Sequence, residues 1–124
     1  MRLISFSLTP DAILEQRKTV TRRTGWATLK PGTVLQPVRK AMGLKKGEHP
    51  EKLGGPIRVV SVRSEQLWNI DQADVVAEGF AGMSREVFIA FFCDTHNCAE
   101  SDPVTRIEFE YIAHEDMTPK EREP

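Results

Sequence analysis

The chain has 124 residues, a length at which one compact domain is the expectation. Hydrophobic residues make up 40% and charged residues 28%, an ordinary globular composition that excludes wholesale disorder. The longest strongly apolar run, Val87 to Cys93, is too short for a transmembrane helix, and Met1 to Phe6 has too short an apolar core for a signal peptide. With 2 cysteines a disulfide framework is excluded, so we predict cytoplasmic residence.

The net charge of −1 hides an asymmetry between the two halves of the chain. Residues 1–63 hold 13 Lys and Arg against 4 Asp and Glu, whereas residues 64–124 hold 4 against 14. Such a division indicates a basic surface for a polyanion or a phosphate. The alternative is that the two halves neutralise each other across one fold.

The first third of the chain predicts a strand, a short helix and an extended segment. Leu3 to Leu8 alternates, with Ile4, Phe6 and Leu8 on the apolar face. Thr9, Pro10 and Asp11 then supply a helix start, and the helix of about Pro10 to Arg17 turns Ile13 and Leu14 inward. The β-branched Thr19-Val20-Thr21 begins the extended segment.

The middle of the chain predicts two strands separated by a long exposed loop. Pro31-Gly32 is a turn, and Thr33 to Val38 follows as a strand. Arg39 to Gly55 contains four glycines and five basic residues, a composition typical of an exposed loop. Ile57 to Val62 is a predicted buried strand.

The last part predicts two helices and a closing strand. The helices span Asp71 to Glu78 and Ser84 to Cys93, and the apolar side of the second holds Val87, Phe88, Phe91 and Phe92 above its Ser84 cap. Val104 to Ile112 alternates as a half-buried strand. Because the strands do not alternate regularly with helices, we predict an α+β, mainly β fold built on a small barrel or curved sheet.

The stretch from Arg17 to Arg23 holds four basic groups and two hydroxyls in seven residues. In an extended segment Thr19, Thr21 and Arg23 share one face. A desolvated Lys18 beside an arginine would have a lowered pKa and could act as a base for the Thr21 hydroxyl. The same groups could bind a phosphate, or could form a solvated edge that prevents sheet-to-sheet aggregation.

Further binding residues are predicted outside this stretch. The indole of Trp26 could stack on a nucleobase, although a packing role is the alternative. The glycine-containing loop after residue 38 is a second basic cluster that could form an electrostatic rim or be merely solvated. Together with Arg22 and Arg23, the predicted ligand-binding residues are Trp26, Arg39, Lys40, Lys45 and Lys46.

Cys93, His96 and Cys98 are spaced in a way that suggests metal chemistry, with His114 as a remote fourth candidate. Zinc sites usually need a second closely spaced pair of ligands. A polar loop at the end of a helix, with Cys93 as a core thiol, explains the same residues. We therefore predict neither a metal nor another cofactor.

The stretch that contains Lys18, Thr21 and Arg23 resembles the signature of the ASCH domains, small proteins of the PUA-like superfamily found in bacteria and their phages. The resemblance reaches from Leu29-Lys30-Pro31-Gly32 through Ile57 to Arg63 and Glu78-Gly79-Phe80 to the closing strand that ends near Ile112. Many members carry a glycine two residues before the lysine, where this chain has Gln16, so we expect a differently shaped helix end.

The resemblance implies a β-barrel of five or six strands with two or three helices. We predict one domain over residues 1–114, followed by a tail of residues 115–124 that its charges and prolines make flexible. The resemblance also implies a cleft for RNA, a nucleotide or a modified nucleoside. We predict a monomer or weak homodimer with no membrane partner. One branch of the family removes acetyl from acetylcytidine, and by position its lysine, threonine and glutamate correspond to Lys18, Thr21 and Glu78. An amidohydrolase is therefore the alternative to a binding module, and a ribonuclease is a third.

Overall fold

The computed structural model describes residues 1–118 and contains one five-stranded sheet with three α-helices. The strands are β1 (Arg2–Ser5), β2 (Val20–Arg23), β3 (Val34–Val38), β4 (Ile57–Gln66) and β5 (Pro103–Tyr111). The helices are α1 (Pro10–Leu14), α2 (Gln72–Ala77) and α3 (Arg85–His96), and short 3-10 turns lie at Leu67–Asn69 and His114–Asp116. The fold is therefore mainly β, in the α+β class that the sequence predicts.

The strands lie in the order β1-β3-β4-β5-β2, so the sheet is mixed. β1 and β3 are parallel, and every other neighbouring pair is antiparallel. β4 and β5 form the long central pair, with an irregularity in register between Val59 and Ser61. A β-bulge of this kind bends and twists a strand pair.

The predicted barrel is not confirmed, because within residues 1–118 no ladder joins β1 to β2 and the sheet stays open. A side chain nevertheless links the two edge strands. Arg23, the last residue of β2, donates from Nη2 to the carbonyl oxygen of Ser5, the last residue of β1, at 2.7 Å. The two edges thus meet at one end of the sheet, where the candidate site lies.

Two hydrophobic clusters stabilise the domain. The first packs on the sheet and contains Ile4, Phe6, Ile13, Leu35, Ile57, Val59, Ile107 and Phe109. The second joins α2 and α3 to the far ends of β4 and β5 and contains Leu67, Ile70, Val75, Phe88, Ile89, Phe92 and Val104. Helix α3 is therefore fixed against the sheet by its aromatic side.

Three details of the predicted amphipathic patterns are wrong. Leu8, Leu14 and Val87 are 55%, 51% and 54% exposed, so none belongs to the core. β1 ends at Ser5 and α1 at Leu14, before the predicted alternation and helix reach Leu8 and Arg17. Val87 lies in the first turn of α3, on the side away from Phe88 and Phe92. The predicted cap of α3 is confirmed, since the Ser84 side chain accepts from the Val87 amide. The predicted Thr9 cap of α1 is wrong, because the Thr9 side chain makes no cap hydrogen bond there.

The predicted tail falls partly outside the described residues, which end at 118. Within residues 115–118 Met117 is buried, whereas Glu115, Asp116 and Thr118 are exposed. None of the helices described in residues 1–118 is long and apolar enough to span a membrane.

Candidate functional site

A cavity of about 290 Å³ opens where the end of β1, strand β2, the end of α2 and helix α3 meet. Its floor is polar and is made by Lys18, by residues of β2 and by Glu78, the residue that ends α2. Its walls are largely aromatic. The lining side chains that bear on its chemistry are Lys18, Thr21, Arg22, Arg23, Glu78, Phe6, Phe80, Phe88, Phe91, Phe92, Thr95 and His96.

The turn after α1 places Lys18 in this cavity. Gln16 adopts a left-handed backbone with φ of 59°, and the amides of Arg17 and Lys18 then both donate to the Ala12 carbonyl. The Thr19 amide donates to the Ala77 carbonyl at 2.8 Å, which brings the turn against the end of α2. Gln16 thus adopts the left-handed conformation that glycine favours at the end of a helix.

The close approach of the α1 turn to α2 requires Gly79. Its φ is 97°, and a Cβ at this position would lie 3.0 Å from the Ala12 Cβ. A side chain at this position would be strained by the positive φ and would crowd Ala12. Glycine avoids both problems, so Gly79 allows Glu78 to lie directly beside Lys18.

Lys18 and Glu78 form a buried ion pair. Nζ of Lys18 donates to the Glu78 carbonyl oxygen at 2.5 Å and to Oε1 at 3.1 Å, and both residues are 3% exposed. Burial lowers the pKa of Lys18 from its ordinary value, and the charge of Glu78 partly opposes that shift. The ammonium also lies 5.8 Å from the Phe6 ring centroid and 5.7 Å from that of Phe80.

A series of linked ion pairs, called here the charge chain, extends from Glu78 to β5. Arg22 donates to Glu78 Oε2 at 3.1 Å and to Asp74 Oδ2 at 2.6 Å. Arg106 of β5 donates to both oxygens of Asp74, at 2.7 and 3.0 Å. These hydrogen bonds, the one from Arg106 above all, lower the pKa of Asp74 to about 2. Both carboxylate oxygens of Glu78 are therefore held by cations, which offset the unfavourable position of an acid at a helix C-terminus.

Thr21 and Arg23 form the other half of the floor. Arg23 donates from Nε to Thr21 Oγ1 at 3.1 Å, and its guanidinium lies 4.9 Å from the Phe6 ring centroid. Burial lowers the pKa of Arg23 to about 10. Within residues 1–118 no carboxylate forms a salt bridge with Arg23, and Lys18 Nζ and Thr21 Oγ1 are not hydrogen-bonded to each other.

Phe80, in the loop between α2 and α3, supplies the aromatic wall together with phenylalanines of α3, which the sequence predicted only as an apolar helix side. The ring of Phe80 lies 5.5 Å from both Phe88 and Phe91. Beyond them Thr95 and His96 reach the rim of the cavity. Phe88 and Phe92 are buried as predicted, so one helix face serves the core and the cavity together. The four phenylalanines from residue 80 to residue 92 are the sequence signal from which an aromatic wall could have been predicted.

The cavity brings together five of the predicted site residues, Lys18, Thr21, Glu78, Arg22 and Arg23. The other five are not among the residues that line it. Trp26 packs against the sheet core, and the Arg2 guanidinium lies 4.0 Å above its ring. Arg39 pairs with Glu51 at 2.8 Å in the exposed loop that also carries Lys40, Lys45 and Lys46. The charge chain through Asp74 and Arg106 was not predicted at all.

The residues whose spacing suggests a metal site have other contacts. The Cys98 amide donates to the Cys93 carbonyl oxygen at 3.1 Å, which closes α3, and burial raises the pKa of the Cys98 thiol. His96 lies at the cavity rim instead of facing a ligand cluster. In the part of the chain from 1 to 118, no group of three His, Cys, Asp or Glu side chains is arranged to hold a metal ion.

Known proteins share the fold of this chain. No protein-family model matches the sequence, and neither does any curated protein. The ASCH domain from Lactobacillus crispatus JV V101 aligns with a TM-score of 0.58 and 17% identity, over 88% of this chain and 77% of that one. Protein EF3133 from Enterococcus faecalis V583, of the family DUF984, aligns with a TM-score of 0.59 and 13% identity, over 90% and 76%. The chain therefore has the ASCH-domain fold.

Proposed function

We propose that this protein is a binding module whose cavity holds a nucleotide or modified nucleoside, either free or as a base turned out of an RNA strand. The observation that carries the proposal is the convergence of an ammonium, a hydroxyl and a guanidinium beneath an aromatic wall, in one cavity. Planar heterocycles with hydrogen-bonding edges suit such a site, because rings stack on aromatic side chains and polar edges need partners.

The floor offers hydrogen-bond donors. An ammonium has three N–H groups, and Lys18 donates to two oxygens of Glu78, the backbone carbonyl oxygen and Oε1. A guanidinium has five, of which Arg23 directs one to Thr21 and one to Ser5. The remaining donors and the Thr21 hydroxyl favour ligand groups that accept hydrogen bonds, such as base carbonyls, ring nitrogens or phosphate oxygens.

The dimensions of the cavity favour one base over a helix. Small-molecule cavities span about 300–1,000 Å³, and 290 Å³ lies at the lower limit of that range. A duplex cannot enter such a volume, whereas a single unstacked nucleotide can. An RNA partner would therefore insert one base, with its flanking phosphates outside.

The basic loop is suitably placed for those phosphates. Ser5 lines the cavity and pairs with Val38, and the loop begins at the next residue, Arg39. Lys40, Lys45 and Lys46 follow within this loop. We infer that these side chains contact the backbone of an inserted strand, as a charged rim outside the cavity.

Calorimetric titration of nucleosides, nucleotides and short single-stranded RNA tests the proposal. We expect Lys18→Ala to weaken binding about tenfold or more, and Arg17→Ala, which removes a neighbouring exposed cation, to leave it unchanged. Arg23→Lys keeps the charge but loses the fork of donors, and it provides a second test if Lys18→Ala unfolds. Equal binding by all three variants, or no binding by the wild type, contradicts the proposal.

Salt dependence tests the rim. Binding of RNA should weaken as salt rises, and replacing both Lys45 and Lys46 with glutamine should reduce the steepness of log K against log salt by about 0.7 for each phosphate of the single strand that these lysines neutralise. Binding of a neutral nucleoside should change little with salt. An unaltered slope in the double variant would remove the loop from the interface.

An amidohydrolase acting on an acylated cytidine is the second candidate, favoured by the presence of Lys18, Thr21 and Glu78 in one cavity. Thr21 Oγ would attack the acyl carbon, and the hydroxyl proton would pass to Lys18 in its neutral form, which its lowered pKa makes accessible. The C–N bond would then break, with the proton returned to the leaving amine through Lys18 or Glu78. Water would release the acyl group from Thr21 as a carboxylic acid.

Incubation with acetylcytidine separates the two candidates. Release of cytidine by the wild type, its loss in Thr21→Val and its retention in Thr21→Ser would establish the enzyme, because valine keeps the shape and serine keeps the hydroxyl. Binding without any release of cytidine would leave the protein a binding module.

A further inference from the structure

His96 ends α3 at the rim of the cavity, and neither the binding floor nor the hydrolytic candidate uses it. Its ring is fixed by two contacts with the preceding turn. It stacks on the Phe92 ring at 4.0 Å between centroids and 21° between planes, and Nδ1 lies 3.1 Å from the Phe92 carbonyl oxygen. The imidazole is thus held in place at the mouth of the cavity, although the residue itself is exposed.

The contact with Phe92 determines the tautomer. A carbonyl oxygen only accepts, so Nδ1 must carry the hydrogen of the neutral ring, and Nε2 is then an acceptor. In the described stretch of residues 1–118, Nε2 makes no hydrogen bond. The rim therefore presents an acceptor, whereas the floor at Lys18, Thr21 and Arg23 presents donors.

We propose that His96 is a specificity-determining residue that selects bases with an exocyclic amino group. The inference rests on the proposed binding of nucleosides in the cavity. Cytosine and adenine place a ring-nitrogen acceptor next to an amino donor, so the acceptor can face the floor and the donor can face His96 Nε2. Uracil and hypoxanthine reverse both groups and would leave Nε2 opposite a carbonyl oxygen.

The experiment compares cytidine with uridine and adenosine with inosine, by calorimetric titration of the full chain. We expect the wild type to bind the amino member of each pair about tenfold more tightly. His96→Phe keeps a ring to stack on Phe92 but removes the acceptor, so cytidine affinity should fall about tenfold and uridine affinity should stay nearly constant. His49→Phe, in the exposed loop, is the matched control and should behave as the wild type.

The outcomes distinguish this inference from the function on which it rests. A preference for the amino bases that disappears in His96→Phe and persists in His49→Phe supports it. Binding of nucleosides with no such preference, or with a preference that His96→Phe retains, overturns the role of His96 but leaves the binding function intact. A wild type that binds none of the four nucleosides overturns both.

Discussion

Gln16 shows at the scale of one residue how the site is assembled. Its φ of 59° lies in the left-handed region, which costs a residue with a side chain about 1–2 kcal/mol. The conformation persists because the amides that follow it donate to the Ala12 carbonyl and Thr19 is tied to α2. Lys18 reaches Glu78 only because the chain reverses at this residue.

Gln16→Gly should therefore stabilise the protein. Glycine adopts the left-handed conformation without steric cost but loses more entropy on folding, so we expect the free energy of unfolding to rise by about 0.5 kcal/mol. Urea denaturation measures the change. Glu15→Gly is the matched control. Glu15 has a right-handed helical backbone with φ of −86°, so glycine relieves no steric cost there, and this variant should lower the free energy of unfolding by about 1 kcal/mol. A loss of stability in Gln16→Gly contradicts the argument.

At the scale of elements, Asp74 joins α2 to two strands. Its carboxylate accepts from Arg22 of β2 and from Arg106 of β5, so a six-residue helix is fixed to the sheet through one acid. The same arginine of β2 holds Glu78. The orientation of Glu78 in the cavity thus depends on contacts among α2, β2 and β5.

The lowered pKa of Asp74 predicts a pH dependence of stability. Because the folded value is about 2 and the ordinary value is 3.8, this stabilisation is complete above about pH 4 and is lost as pH falls through about 2. We expect the difference in unfolding free energy between wild type and Asp74→Asn to shrink by about 1–2 kcal/mol over that range. Denaturant titrations at several pH values measure it.

Asp94→Asn provides the control for this linkage, since Asp94 is an exposed aspartate on α3. Its difference from the wild type should stay nearly constant over the same acidic range. A constant difference for Asp74→Asn as well would show that the carboxylate is not held in its ion pairs.

At the scale of the whole molecule, the sheet is open, yet its two edge strands meet through a side chain. The guanidinium of Arg23 bonds to Ser5 of β1 and to Thr21 of β2, and it covers the ring of Phe6. One residue therefore joins the edges and forms part of the cavity floor. The architecture and the candidate site share this contact.

Arg23→Lys should loosen the contact between the edges. An ammonium cannot reproduce both hydrogen bonds of the planar guanidinium, so we expect the free energy of unfolding to fall by about 1–2 kcal/mol and the amides of β1 to exchange faster. Hydrogen exchange measured along the chain localises the effect. Arg39→Lys, in an exposed ion pair, should change neither quantity. If the β1 amides of Arg23→Lys exchange at the wild-type rate, the hydrogen bonds between β1 and β3 alone hold β1 in place.

The local patterns of the sequence predict most elements of the fold, because hydrophobic periodicity and helix caps are properties of neighbouring residues. Ser84 caps α3, and the alternation around Ile107 and Phe109 marks β5. The predicted barrel is not confirmed, because β1 and β2 lie at opposite edges of the sheet and within residues 1–118 no ladder joins them. Closure depends on the curvature of all five strands together, which no local pattern specifies. The prediction that Leu14 turns inward is wrong, since Leu14 is the last residue of α1 and is exposed.

The sequence by itself determined which chemical groups this protein can use: Lys18, Thr21 and Arg23 on one short stretch, and Glu78 at the end of a helix. Only the tertiary structure decided their partners, because a buried cation must be matched by a carboxylate that arrives from elsewhere in the chain. That requirement brought Glu78 to Lys18 across 60 positions and Asp74 to Arg106 across 32. It also left the exposed basic loop outside the cavity, where water already solvates its charges.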